Sequence, residues 1–371
     1  MSLIKVKSRG TDNVSGRKNL IINGDMRIAQ RGTSATSVTS AGGAYLIDRI
    51  NYNLSSAGTW SFSQESDAPS GFTKSFKALC TTATGTLGAG AYLVFYYNFE
   101  GQDFQQLEYG NSSAKTVTLS FYVKSNKTGT YQVSFRATNG SQERHIGGTY
   151  TVNSSGVWER KTITYVGDTA QAIINNNTRG NTLEWWVVAG TTFTSGSSPT
   201  AWQNQVSADR AGGHNVNLGD ATNNYWQVTG IQLEVGVGAS DFEHRSFGEE
   251  LALCQRYLYR RRLKQYDVMA LGHSIGGNLG RYLIHLPTAM RIRPSVSDGG
   301  DIGCWYSNGG AITVQTGLAN VYMPSDEKDF NQIYLSADAS ATINSNTYTL
   351  ALTASNGSAN ADSYVQLDAE L

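Results

Sequence analysis

The sequence predicts an all-β fold, two β-sandwich domains joined by a short helix, and three observations carry that prediction. Short runs alternate apolar and polar side chains at a period of two, the spacing of half-buried strands. Gly reaches 40 of 371 residues, Pro only 5, and aromatic residues make up 11%, a mixture that suits sandwiches with many tight turns. One interval alone, beginning at Ser246, switches to helical spacing.

Residues 1–18 set Lys5, Lys7, Arg9, Arg17 and Lys18 against one acid, Asp12, and hold too little apolar surface to pack alone. Leu3, Ile4 and Val6, with Lys5 and Lys7 between them, suit strand addition to a partner's sheet edge; a frayed terminus is the alternative. From 19 to 245 the signals are strands. Val117, Leu119, Phe121 and Val123 share one face of Thr116–Ser125, and Tyr131, Val133, Phe135 and Ala137 one face of Thr130–Thr138, with an Asn126–Gly129 turn between. Similar runs at Val157–Tyr165, Thr182–Ala189 and Tyr225–Glu234 complete a jelly-roll-like sandwich.

Over 246–264, Ser246 and Glu249 form a capping box, and Phe247, Leu251, Cys254 and Leu258 follow at helical spacing as one apolar stripe. The basic end, Arg256, Arg260, Arg261, Arg262 and Lys264, suits the partial negative charge of a helix C-terminus. The stripe is too short for an independent coiled coil; it packs on the chain's own sheet or closes against two further copies. A second sandwich is expected over 265–371, with strands at Arg281–Leu286, Ala311–Gln315, Ala319–Met323, Gln332–Ser336, Tyr348–Thr353 and Tyr364–Leu371.

Basic and acidic residues cancel at 29 each, which argues against nucleic-acid binding. Cys80, Cys254 and Cys304 are odd in number and far apart, so they predict small buried hydrophobes rather than a disulfide framework or a zinc site. No apolar run is long enough for a signal peptide or a bilayer span, so synthesis in a cytoplasm without membrane insertion is expected. Gly272-His273-Ser274-Ile275-Gly276 fits the spelling of a nucleophile elbow. The strand, acid and histidine that an elbow needs in order do not follow, since His285 lies only eleven positions on. Asp326, Glu327 and Asp329 resemble a solvated turn more than a catalytic carboxylate pair. No enzyme activity and no cofactor or metal is expected.

Aromatic residues give the better binding signal, because sugar C–H faces stack on rings while hydroxyls take polar neighbours. Tyr92 and Tyr96 alternate with Leu93, Phe95 and Tyr97, and Trp186 points away from Leu183, Trp185 and Val187, so an outward apolar face is expected there. Glycan or a neighbouring subunit would cover it. Trp305 and Tyr306 are candidates in the second domain on the same argument.

Val228–Leu258, with I-Q-L-E at Ile231–Glu234 and A-S-D-F-E-H-R-S-F-G-E-E-L-A-L-C-Q-R-Y-L from Ala239, resembles the linker of tail-fibre and adhesin proteins of tailed bacteriophages. Asn19–Gly32 and Leu286–Pro294 resemble two further landmarks of that family, in order. The resemblance implies a virion protein of the tail, made in the host cytoplasm, that attaches to a host surface polysaccharide. It also implies a homotrimer with a neck at Phe247, Leu251, Cys254 and Leu258, and attachment of residues 1–18 to a tail or baseplate protein. A head-spike, decoration or baseplate component without receptor binding is the alternative. N-L-I-I-N-G-D-M and I-Q-L-E also resemble the first and last strands of carbohydrate-binding modules. Many of those hold calcium through an acid after the Asn-Gly turn; Met26 and Arg27 stand here where an aromatic and an acid are frequent.

Overall fold

The computed structural model describes residues 18–264, 267–276, 279–299, 302–308, 311–316, 320–322, 332–338, 350–354 and 363–371. Residues 1–17, with the expected anchor at Leu3, Ile4, Lys5, Val6 and Lys7, lie outside the described residues, as do Asp326, Glu327 and Asp329. The chain divides into two compact units: residues 18–27 and 33–245 form the first, while Ile28–Gly32 join the described residues from Ser246 onward in the second.

In the first unit β1 (Ser34–Val38), β2 (Ala41–Tyr45), β3 (Asn51–Ser55), β4 (Thr59–Glu65), β5 (Ser75–Thr82) and β6 (Tyr92–Glu100) precede β7 (Val117–Ser125) and β8 (Gly129–Thr138). β9 (Glu143–Val152), β10 (Glu159–Tyr165), β11 (Arg179–Ala189), a single turn α1 (Thr191–Thr194), β12 (Gln203–Asn204) and β13 (Tyr225–Val235) follow. They build a six-stranded sheet, β1-β4-β5-β13-β7-β10, and a seven-stranded sheet, β12-β9-β8-β11-β6-β3-β2. All pairings described in this unit are antiparallel. The alternation read from the sequence decides which side chains meet between the sheets. Val117, Leu119, Phe121 and Val123 enter the core from β7, and Tyr131, Val133, Phe135 and Ala137 from β8. Phe95 stacks on Trp226 at 5.2 Å, and the Trp226 indole N–H donates to the Tyr150 hydroxyl at 2.9 Å. Each fully buried Phe or Leu contributes about 1.5–3 kcal/mol.

The two landmarks that stand out in the sequence close on each other in this unit as one clasp. The Asn19 side-chain amide donates to the Ile231 carbonyl at 3.1 Å, and its oxygen accepts from the N–H groups of Ile21 (2.9 Å) and Leu233 (3.1 Å). Glu243 accepts the Asn19 N–H at 2.6 Å, and Arg245 donates to the Ile21 carbonyl at 3.0 Å. Glu234 accepts from the Ser240 N–H (2.8 Å) and hydroxyl (2.7 Å), and Gln232 accepts the Glu243 N–H at 2.8 Å. Gly230, at φ +62, leaves room for Phe72: a Cβ there would stand 2.7 Å from that ring, which packs on Tyr122, Phe242 and His244 at 5.0–5.3 Å. The opening stretch is therefore not the expected first strand. Asn23 (φ +59) and Met26 (φ +60) turn it, and single bonds tie it to β13, Leu20 N–H to Leu233 and Ile231 N–H to Gly24, each 2.9 Å.

The second unit begins with α2 (Phe247–Gln255), then β14 (Leu258–Arg262), β15 (Val268–Gly276), β16 (Leu279–His285), β17 (Ser295–Gly299), β18 (Ile302–Asn308) and β19 (Ala311–Thr316). β20 (Asn320–Tyr322), β21 (Gln332–Asp338), β22 (Leu350–Ala354) and β23 (Tyr364–Asp368) complete it. A three-stranded sheet runs β14-β23-β17 and a seven-stranded sheet β19-β18-β22-β15-β16-β21-β20, so the unit is β-rich as expected. The capping box is present: the Ser246 hydroxyl accepts from the Glu249 N–H at 3.3 Å, and Glu249 accepts the Ser246 N–H at 2.9 Å.

The expected helix over 246–264 is corrected. α2 stops at Gln255, and Leu258 opens β14, paired with Asp368 of β23. Tyr257, Leu258 and Tyr259 favour extended backbone, and β23 supplies hydrogen bonds that a lengthened helix would forfeit. Arg260 serves as a strand residue with its guanidinium 3.4 Å from the Tyr364 ring centroid rather than as a helix-end cation. The stripe splits accordingly: Cys254 and Leu258 are fully buried within the chain, Leu251 is half-buried, and only Phe247 stands out, 56% exposed. Ile28–Gly32 is stitched to this unit as Gln30 donates to the Leu258 carbonyl at 2.7 Å and Arg31 pairs with Asp368 at 2.8 Å and Glu370 at 3.4 Å.

Candidate functional site

The outer face of the first unit's seven-stranded sheet gathers the groups that can recognise a ligand. Strand residues that miss the core project there, and the register aligns them in three cross-strand rows. Asn98, Thr182, Arg136 and His145 form the first; Asn51, Tyr96, Glu184, Ser134 and Gly147 the second; Asn53, Val94, Trp186, Gln132 and Thr149 the third. One face of one sheet thus carries an apolar ring beside a block of charge.

A strap, residues 190–213 with α1 and β12, lies over the third row. Phe193 packs on Trp186 at 5.0 Å and on Tyr92 at 5.5 Å. Gln132 accepts the Gly213 N–H at 2.6 Å and donates to the Asp209 carbonyl at 3.3 Å, and the Gly147 N–H donates to Pro199 at 2.7 Å. Gly147 permits that approach, since a Cβ there would meet the Ser198 hydroxyl at 2.2 Å. Trp186, expected on an outward face, is therefore only 1% exposed and joins Val94, Ala189 and Ala211 in a small cluster. Its cover is neither glycan nor a neighbouring subunit but this strap. Tyr92 and Tyr96 are half-buried.

Beside the ring lies an ionic network that neither motif nor composition announces. Glu184 is fully buried and accepts from Arg210 at 2.7 and 3.2 Å and from Arg136 at 2.6 Å. Burial pushes its carboxyl up, but the Arg210 and Arg136 charges outweigh that and hold it down at about 2. Arg210 also donates to the Tyr96 hydroxyl at 3.1 Å and lies 5.0 Å from the Trp186 ring centroid, so the strap is pinned by charge as well as packing. Burial raises Tyr96 to about 12, with the Glu184 charge adding to it, so its hydroxyl stays protonated. Glu143 bridges Arg136 and Arg179, and Arg136 reaches Gln205 at 3.0 Å. The strap reaches this end through Gln205, yet the side chains of Arg179 and Glu143 stay 35% and 24% exposed. Burial lowers the His145 pKa, and it also lowers that of Arg179.

The structure places Tyr92, Tyr96 and Trp186 on one sheet face, with Trp186 covered, and adds Arg136, Glu143, Arg179, Glu184 and Arg210, which sequence reasoning missed. The signal was the placing of charges at alternate positions inside strongly apolar strands. Trp305 and Tyr306 fall on β18, opposite Ala351 and Leu350, and their side chains lie outside the described residues. Ser274 sits within β15 and pairs antiparallel with Gly280 of β16, so the surrounding motif is a hairpin and not a strand-turn-helix elbow. Cys80 and Cys254 are buried, and neither is in a disulfide. Among the described residues no group of three His, Cys, Asp or Glu could hold a metal ion, and no helix is long and apolar enough to cross a membrane. Asp25, the acid after the Asn23-Gly24 turn, is paired with Arg27.

No protein-family model matches the chain, and no curated protein matches it. Among solved structures it is similar to a putative sugar binding protein from Bacteroides thetaiotaomicron, at 10% identity over 59% of this chain and 100% of that one, TM-score 0.32. It is similar also to a family 11 carbohydrate-binding module of a Clostridium thermocellum cellulase, at 12% identity over 55% and 98%, TM-score 0.29. A third is the enzymatically active domain of tailspike protein 4 of bacteriophage CBA120, at 10% identity and TM-score 0.30, covering 59% of this chain and 21% of that one. At such identities and TM-scores none of these carries an argument about function.

Proposed function

We propose that this protein is a non-catalytic glycan-binding adhesin of a phage virion, a tail-fibre or receptor-binding component. The observation that carries the glycan reading is the partly exposed Glu143–Arg179 end of the outer sheet face. There Glu143 and Arg179 set partly exposed acceptors and donors beside Tyr96, Asn98 and the more deeply set Arg136 on rigid strands. Sugar recognition needs both, a ring for the apolar C–H face and fixed polar groups for the hydroxyls. The virion assignment, its attachment to a tail or baseplate protein through residues 1–18 and the homotrimer rest on the landmark resemblance. Three copies would present three equivalent weak sites, and avidity would supply what each lacks.

A second reading, a virion structural component without receptor binding, is favoured by one observation. Phe247, Val268 and Leu271 of the second unit are 56%, 45% and 64% exposed, as suits packing against another chain. Binding of the purified protein to a polysaccharide panel separates the two: retention by at least one glycan, abolished by Arg136→Ala together with Arg179→Ala, is expected, and no retention by any would favour the second. Light scattering tests the trimer, for which one-chain mass at micromolar concentration is the adverse result.

A further inference from the structure

We propose that the glycan taken by the partly exposed end of this face is anionic, a polysaccharide bearing carboxylates of the uronic-acid type, and that Arg179 with Arg136 selects it. This rests on the glycan-binding reading of the same face and names its ligand class. The face gathers three guanidinium groups, Arg136, Arg179 and Arg210, around two carboxylates, Glu143 and Glu184. Glu184 is fully buried and held by Arg136 and Arg210, so it is closed to exchange. Glu143 differs in every respect that matters. It lies at the start of β9, next to the Asn139-Gly140 turn, it is partly exposed, and one carboxylate spans two guanidinium groups.

That fork already shows the shape of its guest. A planar two-oxygen anion fits between guanidinium planes by parallel N–H···O bonds, and a hydroxyl supplies neither the charge nor the second oxygen. Glu143 meets the fork through one terminal nitrogen of each guanidinium, Arg136 and Arg179. Burial lowers the Arg179 pKa, opposed by the Glu184 charge. A ligand carboxylate would share the fork with Glu143 or replace it, while the adjoining Tyr96 ring and Asn98 meet the sugar.

The test is isothermal titration of the full chain with carboxylated glycans (polygalacturonate, alginate, hyaluronate and polysialate), their carboxyl-reduced forms, neutral dextran and dextran sulfate. At least one carboxylated glycan is expected to bind and its reduced form to lose about tenfold or more in affinity. Arg179→Ala should weaken that binding by about tenfold, Arg179→Lys should not restore it, and Glu143→Gln should tighten it several-fold, with unchanged melting temperature certifying each fold. Equal binding of acid and reduced forms, insensitivity to Arg179→Ala, or equal retention by dextran sulfate overturns the carboxylate selection while glycan binding stands. Retention by none of these glycans sinks the glycan reading and this inference together.

Discussion

The clasp and the outer sheet face are both dense polar networks of the first unit, yet they differ in how they are made. The clasp joins two short stretches, Asn19–Asp25 and Gly230–Arg245, and most of its bonds end on backbone. The face draws Arg136, Glu143, Arg179, Glu184 and Arg210 from three strands and the strap, and its bonds run side chain to side chain. Backbone-directed bonds close a fold; exposed side-chain forks can exchange partners with a ligand. The stretch that looks most distinctive in the sequence is therefore the structural one, and the binding candidate is nearly silent there.

Substitutions sharpen that contrast. The largest effect should come from Glu184→Ala, which strands two buried guanidinium groups: a loss of about 3–5 kcal/mol in urea unfolding is expected. A loss under about 1 kcal/mol would mean the strap, not the ion pair, holds this face. Acid titration should give the next largest change. His214, buried beside Tyr131, is pushed down to about 4 by burial, partly opposed by the backbone at Val216 and Val187. Its folded value lies below the unfolded one near 6.5, so stability is full above about 6.5 and falls by about 3 kcal/mol as the pH drops towards 4. Glu184 is likewise depressed, so its share persists down to about 4.3 and is lost only towards 2. Thermal melts from pH 8 to 2 should show both declines, and His214→Gln should abolish the first alone.

In the clasp, Gly230→Val must adopt a left-handed backbone under the Phe72 ring, and a cost of about 1–3 kcal/mol is expected, with no change in any glycan affinity. A loss of binding there would erase the division between the two regions. The smallest effect on stability should be that of Arg179→Ala, within about 0.5 kcal/mol because its ion pair is a third exposed, although its effect on binding should be the largest.

Legibility in the sequence follows the range of the forces. Strands β7, β8, β11 and β13 could be read because alternation is a local pattern, and the start of α2 because a capping box spans three residues. The end of α2 could not: Leu258 is a strand residue only because β23, more than a hundred positions later, pairs with it. The cover on Trp186 was hidden for a related reason, since the strap is rich in Gly, Ser and Thr and carries no periodicity. The Arg136–Glu184 and Arg179–Glu143 pairs lie 48 and 36 positions apart. Charge at the positions of β8 and β11 that alternate with the core residues hints that partners exist but not which.

The stitch between Arg31 and Asp368 joins residues 337 positions apart. A ribosome adding about 5–20 residues per second needs on the order of tens of seconds to cover that interval. Throughout it Ile28–Gly32 must wait, so the second unit is completed last, from both directions along the chain. Any event that stalls or shortens synthesis before β23 leaves that early segment of the second unit without its mate.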